Sequence, residues 1–163
     1  MSPLRPDLVD CWIFRETSGG TEILLIRRAP GRILPGLWQC VSGSIEPGER
    51  IALAALREVR EETGFGAASI EAFFDLDLVN QFHEPSVDAV LGSAVFAIRV
   101  ARGAIERLSH EHDGARWVPI NEAWSEVVWP GYRVAIERVR DDLSDPARAS
   151  WFELTLTGLR ARG

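Results

Sequence analysis

The sequence predicts a mixed α/β or α+β fold in one domain that spans residues 1–163. Short runs rich in β-branched and aromatic residues alternate with segments of helical periodicity. The 163 residues are 46% hydrophobic and 26% charged, a composition typical of a globular chain that can bury one core. No repeat, low-complexity stretch or linker divides the chain, so we expect a single domain.

The first third of the chain predicts a hairpin, a loop and a short strand. Residues 8–14 and 22–27 are strand-like runs separated by Thr-Ser-Gly-Gly, which indicates a β-hairpin. Residues 29–36 contain Pro-Gly twice and are predicted to be a loop. Residues 38–41 form the next predicted strand. Two cysteines, Cys11 and Cys40, fall inside these apolar runs and are predicted to be buried, reduced thiols.

Residues 51–62 predict an amphipathic helix. The segment is rich in alanine, leucine, glutamate and arginine, and apolar side chains recur on one face at Ile51, Ala55, Leu56 and Val59. Gly64 ends the helix, because glycine adopts the left-handed conformation that follows a last helical turn.

The rest of the chain predicts three strands and two helices before an ambiguous tail. The strands are residues 73–82, 87–100 and 115–119, and the helices are residues 120–127 and 131–143. The tail, 147–163, is locally basic and has no clear periodicity. Three interpretations remain open for it: a frayed end, a contact in a homodimer, or a lid.

The charge balance excludes several classes of partner. The chain has 18 basic residues, all of them arginine, and 24 acidic residues, so its net charge is −6. An acidic chain without a broad basic surface is not expected to bind a nucleic acid polymer or an anionic membrane. No apolar run reaches the roughly 18 residues needed to cross a bilayer, and no signal peptide is evident, so we expect a cytoplasmic protein.

Residues 43–65, GSIEPGERIALAALREVREETGF, are the segment that indicates chemistry. Glu58, Glu61 and Glu62 are spaced i, i+3 and i+4, which places three carboxylates on one helical face. Their repulsion is relieved by a hard cation, since Mg²⁺ and Mn²⁺ prefer carboxylate oxygens and share their other positions with water and phosphate. The carbonyl of Ser42 is placed to reach the same ion, and Glu49 lies where it stabilises the helix dipole.

The segment resembles the Nudix box at every defined position: glycine, five residues, glutamate, seven residues, then Arg-Glu-apolar-x-Glu-Glu-x-Gly-apolar. The resemblance implies that family's α/β/α sandwich with a mixed β-sheet. It also implies a loop–helix–loop, held in shape by Gly43 and Gly64, that binds Mg²⁺, with Mn²⁺ as a substitute. By position, Glu58 and Glu62 are the principal metal ligands, Glu61 is an auxiliary ligand, and Arg57 with Glu49 orients the helix.

The resemblance further implies hydrolysis of a diphosphate joined to another group, with water attacking phosphorus. A carboxylate outside the tightest ligand set is expected to accept the proton. In similar proteins a glutamate just before a late strand acts as metal ligand or general base, and Glu111 occupies that place. The alternative for Glu111 is an ordinary loop carboxylate, and His110 and His112 are expected to flank it without binding metal.

The stretch before the box indicates a substrate class. Trp38-Gln39-Cys40-Val41-Ser42-Gly43-Ser44, with the later Glu111-His112, resembles the dihydroneopterin triphosphate and deoxynucleoside triphosphate pyrophosphohydrolases. That branch would release a monophosphate and pyrophosphate. Arg27 and Arg28 alternate across a strand, so that one of them reaches phosphate. Trp38 either stacks on a ring or packs in the core, and Gln39 is placed to read a ring edge.

Two alternatives remain from the sequence. One is hydrolysis of another diphosphate-linked compound, such as ADP-ribose or a diadenosine polyphosphate. The other is a module that senses a nucleotide without hydrolysing it. The presence of all four candidate carboxylates, Glu58, Glu61, Glu62 and Glu111, favours an enzyme.

Overall fold

The computed structural model describes residues 3–162 as a mixed sheet between helices. The strands are β1 (Leu8–Thr17), β2 (Gly20–Arg28), β3 (Trp38–Gln39), β4 (Val41–Ser44), β5 (Ile70–Glu84), β6 (Ala89–Val100), β7 (His112–Pro119) and β8 (Glu153–Leu154). The helices are α1 (Ile51–Thr63), α2 (Ile120–Glu126), α3 (Pro130–Asp142) and α4 (Pro146–Ala149). No helix within residues 3–162 is long and apolar enough to span a membrane.

The strand order is β3-β2-β1-β6-β5-β8, with β4 paired to β1 and β7 to β2. The sheet is mixed because β1 runs parallel to β6, whereas its pairings with β2 and β4 are antiparallel. Helices cover both faces, which confirms the predicted fold class.

The alternation of side chains along β1 separates two apolar cores. Val9, Cys11 and Ile13 pack with Ala54, Ala55 and Val59 of α1, and we name this side of the sheet the α1 face. Trp12 and Phe14 point to the opposite side, where they pack with α2 and α3, and we name it the α3 face. Both cysteines are free and buried, as predicted.

Strands β1 and β2 diverge, and the chain between Trp38 and Ser44 fills the gap. The end of β1 pairs with β2 from Phe14 onward, but its start, Leu8 to Cys11, pairs with β4 instead. Strand β3 pairs with the far end of β2. The prediction of one strand over residues 38–41 is therefore wrong, because the chain changes partner at Cys40.

The tail is ordered, so the interpretation of it as a frayed end is wrong. The Asp145 side chain caps α4 by accepting a hydrogen bond from the Ala147 N–H at 3.0 Å. Strand β8 then pairs with Phe73 and Phe74 of β5. Beyond it, the carbonyl of Gly158 accepts a hydrogen bond from Arg50 at 3.3 Å, which fastens the tail to the start of α1. The prediction failed because the tail is ordered by pairing with a distant strand, and local periodicity in the sequence does not show such pairing.

Candidate active site

Gly43 lets α1 approach the sheet closely. A Cβ built on Gly43 would lie 2.1 Å from Cδ of Glu58, so any side chain there would occupy the space of the carboxylate. Gly64 is the other positioned glycine of the segment: it ends α1 with a φ of 77°, in the left-handed region. The two glycines thus fix where the helix lies and where it ends.

Arg57 ties the loop before α1 to the helix itself. Its Nε donates to Oε1 of Glu49 at 2.8 Å, and its Nη2 donates to the carbonyl of Ser44 at 2.8 Å. Its Nη1 donates to Oε1 of Glu58 at 2.7 Å, which fixes one carboxylate oxygen of that residue. The Arg57 guanidinium also lowers the pKa of Glu49. Five donors in a planar fork make arginine suited to this position.

Glu62 is a buried carboxylate with one oxygen that no group of residues 3–162 pairs with. Its side chain is 4% exposed, and its Oε2 accepts no hydrogen bond from residues 3–162. Burial, together with the negative charges of Glu58 and Glu111, raises the pKa of Glu62 to about 9. The free energy of burying such an oxygen is high unless a cation or a donor accompanies it. Glu62 is therefore a carboxylate suited to pairing with a cation.

His112 does not supply that positive charge. Its Nε2 lies 3.9 Å from Oε2 of Glu62, but burial lowers the pKa of His112, so the imidazole is neutral at pH 7 and the contact is not an ion pair. The same Nε2 lies 3.3 Å from Nε2 of Gln39. His112 was predicted only to flank Glu111; the structure instead buries it at the start of β7.

The three carboxylates of α1 do not share one environment. The side chains of Glu58 and Glu62 are 12% and 4% exposed, and both are turned toward the sheet. Burial raises the pKa of Glu58, while the bond from Arg57 opposes that rise. Glu61 is 54% exposed and accepts a hydrogen bond from Arg57 Nη1 at 3.3 Å. The structure therefore groups Glu58 with Glu62 and leaves Glu61 at the outer edge.

A cavity of about 120 Å³ lies beside Glu62, lined by Arg28, Arg32, Gln39, Ser42, Glu62, Glu111 and His112. Its lining brings acidic and basic side chains together. Arg32, which the sequence did not single out, pairs with the carboxylate of Glu111. The loop folds back because the Ala29 N–H donates to the Glu111 carbonyl at 2.9 Å. The only feature of the sequence that marks Arg32 is its position directly after the Pro30-Gly31 turn.

The predicted substrate residues separate into two groups. Arg28 and Gln39 line the cavity, and Arg28 Nη1 lies 3.4 Å from Oε1 of Gln39. Arg27 lies outside it and pairs with Asp113 at 2.7 Å. Trp38 also lies outside and packs against the core, and the guanidinium groups of Arg27 and Arg116 lie 5.5 and 4.2 Å from its ring centre. Arg27 and Arg28 thus face different surroundings, as the alternation predicts.

The residues present fit a hard divalent cation. Within residues 3–162 no three acidic, histidine or cysteine side chains converge enough to enclose a metal alone. Mg²⁺ does not require such a cage, since it keeps several waters and takes one or two carboxylates. The unpartnered oxygen of Glu62 and the carboxylate of the adjacent Glu58 are oxygen donors of the kind that Mg²⁺ prefers, and Ser42 lines the same cavity.

The family model of the NUDIX domain matches residues 4–139, which include α1, the cavity and most of the sheet. The chain belongs to the Nudix family. This family is generally dependent on divalent metal ions.

Three comparisons place the chain among its relatives. It is 36% identical over 119 residues to an octanoyltransferase from Myxococcus xanthus, covering 72% of this chain but 32% of that protein. The chain therefore spans about a third of the length of that relative. The E. coli dihydroneopterin triphosphate pyrophosphohydrolase is 25% identical, with a TM-score of 0.70 and coverage of 82% and 94% of the two chains. A C. elegans Ap4A hydrolase shares the fold at 19% identity, with a TM-score of 0.72 and coverage of 86% and 98%.

Glu62 gives the metal-free protein a pH-dependent stability. An ordinary glutamate loses its proton near pH 4.5, whereas folded Glu62 keeps it until about pH 9. Between these values the folded state binds the extra proton, so stability falls as pH rises through this window. In a chelator, the melting temperature of Glu62→Gln should exceed that of the wild type by a margin that grows from pH 5 to pH 9. A margin that does not change with pH would contradict the burial of an ionisable group here.

Proposed function

We propose that this Nudix hydrolase is a metal-dependent pyrophosphohydrolase that cleaves a nucleoside or pteridine triphosphate to a monophosphate and pyrophosphate. One observation carries the proposal. The unpartnered Glu62 oxygen and two arginines, Arg28 and Arg32, line the same small cavity. Carboxylates suit the cation and guanidinium groups suit phosphate oxygens, so the cavity provides for both halves of a metal–polyphosphate complex.

In this proposal Glu58 and Glu62 hold Mg²⁺, with Mn²⁺ as a substitute and with Glu61, Glu111 and the Ser42 carbonyl as further ligands. The cation supplies positive charge that neutralises the phosphoryl oxygens and activates water. Arg57 positions Glu58 through the 2.7 Å bond and Gly43 leaves room for it.

Arg32 and Glu111 act as a pair that the substrate separates. In the free enzyme Arg32 neutralises Glu111. A phosphate competes for the guanidinium, because bidentate phosphate–arginine pairs are strong. Release from Arg32 leaves the Glu111 carboxylate free to take the proton from the attacking water. Arg28, on the same cavity wall, holds a second phosphate oxygen.

Two findings support the triphosphate branch over other diphosphate compounds. Similarity to the dihydroneopterin triphosphate pyrophosphohydrolase extends over 82% of the chain. The stretch Trp38–Ser44 resembles that branch, and the structure adds that its Gln39 and Ser42 line the cavity. The Ap4A hydrolase shares the fold at an identity too low to carry its substrate to this chain.

The test is a substrate panel in Mg²⁺: dihydroneopterin triphosphate, the four deoxynucleoside triphosphates, ADP-ribose and diadenosine tetraphosphate. We expect pyrophosphate and a monophosphate from at least one triphosphate, at a kcat/KM at least tenfold above that for ADP-ribose. Pyrophosphate and orthophosphate are measured separately, since orthophosphate alone would place the cut at the terminal phosphorus and contradict the proposal. Preferred hydrolysis of ADP-ribose or diadenosine tetraphosphate would assign another branch, and binding without turnover would indicate a sensor.

A further inference from the structure

Gln39 is a buried amide in the wall of the cavity that Glu62 lines. It ends β3 and is 3% exposed. Strand β2 pairs with both β3 and β7, and its last residue, Arg28, pairs with His112 at the start of β7. The side chains of Arg28, Gln39 and His112 therefore meet at the same cavity, although they come from three different strands.

The amide of Gln39 joins Arg28 to His112 in one defined orientation. Nη1 of Arg28 lies 3.4 Å from Oε1 of Gln39, and Nε2 of Gln39 lies 3.3 Å from Nε2 of His112. A guanidinium only donates hydrogen bonds, so the amide oxygen faces Arg28 and the amide nitrogen faces His112. An amide nitrogen also only donates, so Nε2 of His112 accepts. The Gln39 side chain is thus held at both ends.

Arg28 keeps its positive charge unpaired although two carboxylates line the same cavity. Its guanidinium forms no ion pair with a carboxylate of residues 3–162, whereas the neighbouring Arg32 pairs with Glu111. The groups that hold Arg28 are neutral: the Ile33 carbonyl accepts from its Nε, and Oε1 of Gln39 accepts from its Nη1. A neutral acceptor fixes the direction of a guanidinium without neutralising it, so the charge stays available to an anion.

We propose that Gln39 is a positioning residue that holds Arg28 for the phosphate groups of the substrate. The inference rests on the proposed function, in which Arg28 binds a phosphate oxygen. A guanidinium has five N–H donors, and the contacts with Ile33 and Gln39 use two of them. Both donors on Nη2 remain for a phosphate. Without Gln39 the guanidinium would be free to turn toward the carboxylates of the cavity, which would neutralise its charge.

A positioning role for Gln39 and the reading of a ring edge by Gln39 lead to different expectations. A residue that reads a ring affects only ligands that contain the ring. A residue that positions Arg28 affects every phosphate ligand, and it does so only while Arg28 is present. Inorganic pyrophosphate separates the two roles, because it has no ring and is the proposed product.

A double-mutant cycle on pyrophosphate binding tests the inference without turnover. Calorimetry at fixed Mg²⁺ gives the affinity of the wild type, Gln39→Met, Arg28→Met and the double variant. Methionine has nearly the length of glutamine but is at most a weak acceptor and has no donor. We expect Gln39→Met to weaken binding about three- to tenfold when Arg28 is present, and less than about 1.5-fold when Arg28 is replaced. Equal losses in both backgrounds would overturn the inference, as would an unchanged affinity of Gln39→Met or a wild type that does not bind pyrophosphate.

Two further variants separate positioning from folding. Gln81→Met, at an exposed position of β5, is the matched control and should leave the affinity for pyrophosphate unchanged. Gln39→Asn keeps both polar groups on a side chain too short to reach Arg28 and His112 together. The same cycle with Gln39→Asn should show a loss that again requires Arg28, and it decides the question if Gln39→Met does not fold.

The outcomes also distinguish this inference from the proposed function. Coupling between Gln39 and Arg28 without pyrophosphate release from any triphosphate would refute the proposed function alone. Pyrophosphate release without that coupling would refute this inference alone. A Gln39→Met protein with unchanged pyrophosphate affinity and an altered preference among triphosphates of different rings would make Gln39 a residue that reads the ring.

Discussion

Glu62→Gln should lower Mg²⁺-dependent hydrolysis by about 100- to 1,000-fold, which corresponds to about 3–4 kcal/mol of transition-state stabilisation. The amide keeps the shape of the side chain but removes the charge that pairs with the cation. Among residues 3–162 no group pairs with Oε2 of Glu62, so no described neighbour replaces the lost charge. Single-turnover rates at saturating Mg²⁺ and substrate measure the effect on the chemical step.

The matched control is Glu71→Gln, which removes a carboxylate from an exposed position on β5 that pairs with Arg99. It should retain at least half of the wild-type rate, because exposed ion pairs contribute little. The same Glu62→Gln protein should be as stable as the wild type or more stable in a chelator, since burial of the ionised group is unfavourable. If Glu62→Gln kept its activity, Glu62 would not be a metal ligand. If Glu62→Gln were inactive because it did not fold, Glu58→Gln would be the variant that tests the metal site.

Gly43→Ala should abolish at least 99% of the activity while leaving the protein folded. The added Cβ would lie 2.1 to 2.4 Å from the carboxylate atoms of Glu58, so that carboxylate must leave its place beside Arg57. The far end of a glutamate side chain moves at a small cost in stability, about 1 kcal/mol or less, but its displacement removes a proposed ligand. Melting temperature and kcat, measured on the same preparation, separate the two effects.

Gly103→Ala provides the control for Gly43→Ala, because a Cβ there meets no atom within 4 Å. It should keep full activity and the wild-type melting temperature to within a few degrees. If Gly43→Ala kept its activity, the position of Glu58 would not matter for the reaction. If it lowered the melting temperature by more than about 10 °C, the loss of activity would be a folding defect and would say nothing about Glu58.

Local patterns in the sequence predicted most of the helices and strands. Apolar residues at helical spacing predicted residues 51–62, and the structure extends the helix by one residue to Thr63. Short β-branched runs predicted the long strands. These predictions succeed because they depend on residues a few positions apart, whose side-chain directions follow from helix and strand geometry.

Elements whose partners are distant in the chain were decided by tertiary structure. Strands β3 and β4 are separate because β1 and β2 diverge and each takes its own partner. The tail is ordered because β8 pairs with β5, which lies some 80 residues earlier in the chain. Neither pairing leaves a local pattern, since strand formation depends on neighbours supplied by the rest of the fold.

The same division applies to the site. The sequence by itself determined the spacing of Glu58, Glu61 and Glu62, and that spacing led to the hypothesis that they bind a metal ion. Only the tertiary structure decided that Glu62 is buried while Glu61 is exposed, because the sheet covers one side of α1 and solvent the other. It also brought Arg32 to Glu111 and buried Asp10. Burial and unpaired polar atoms are properties of packing, and packing depends on contacts between residues far apart in the chain.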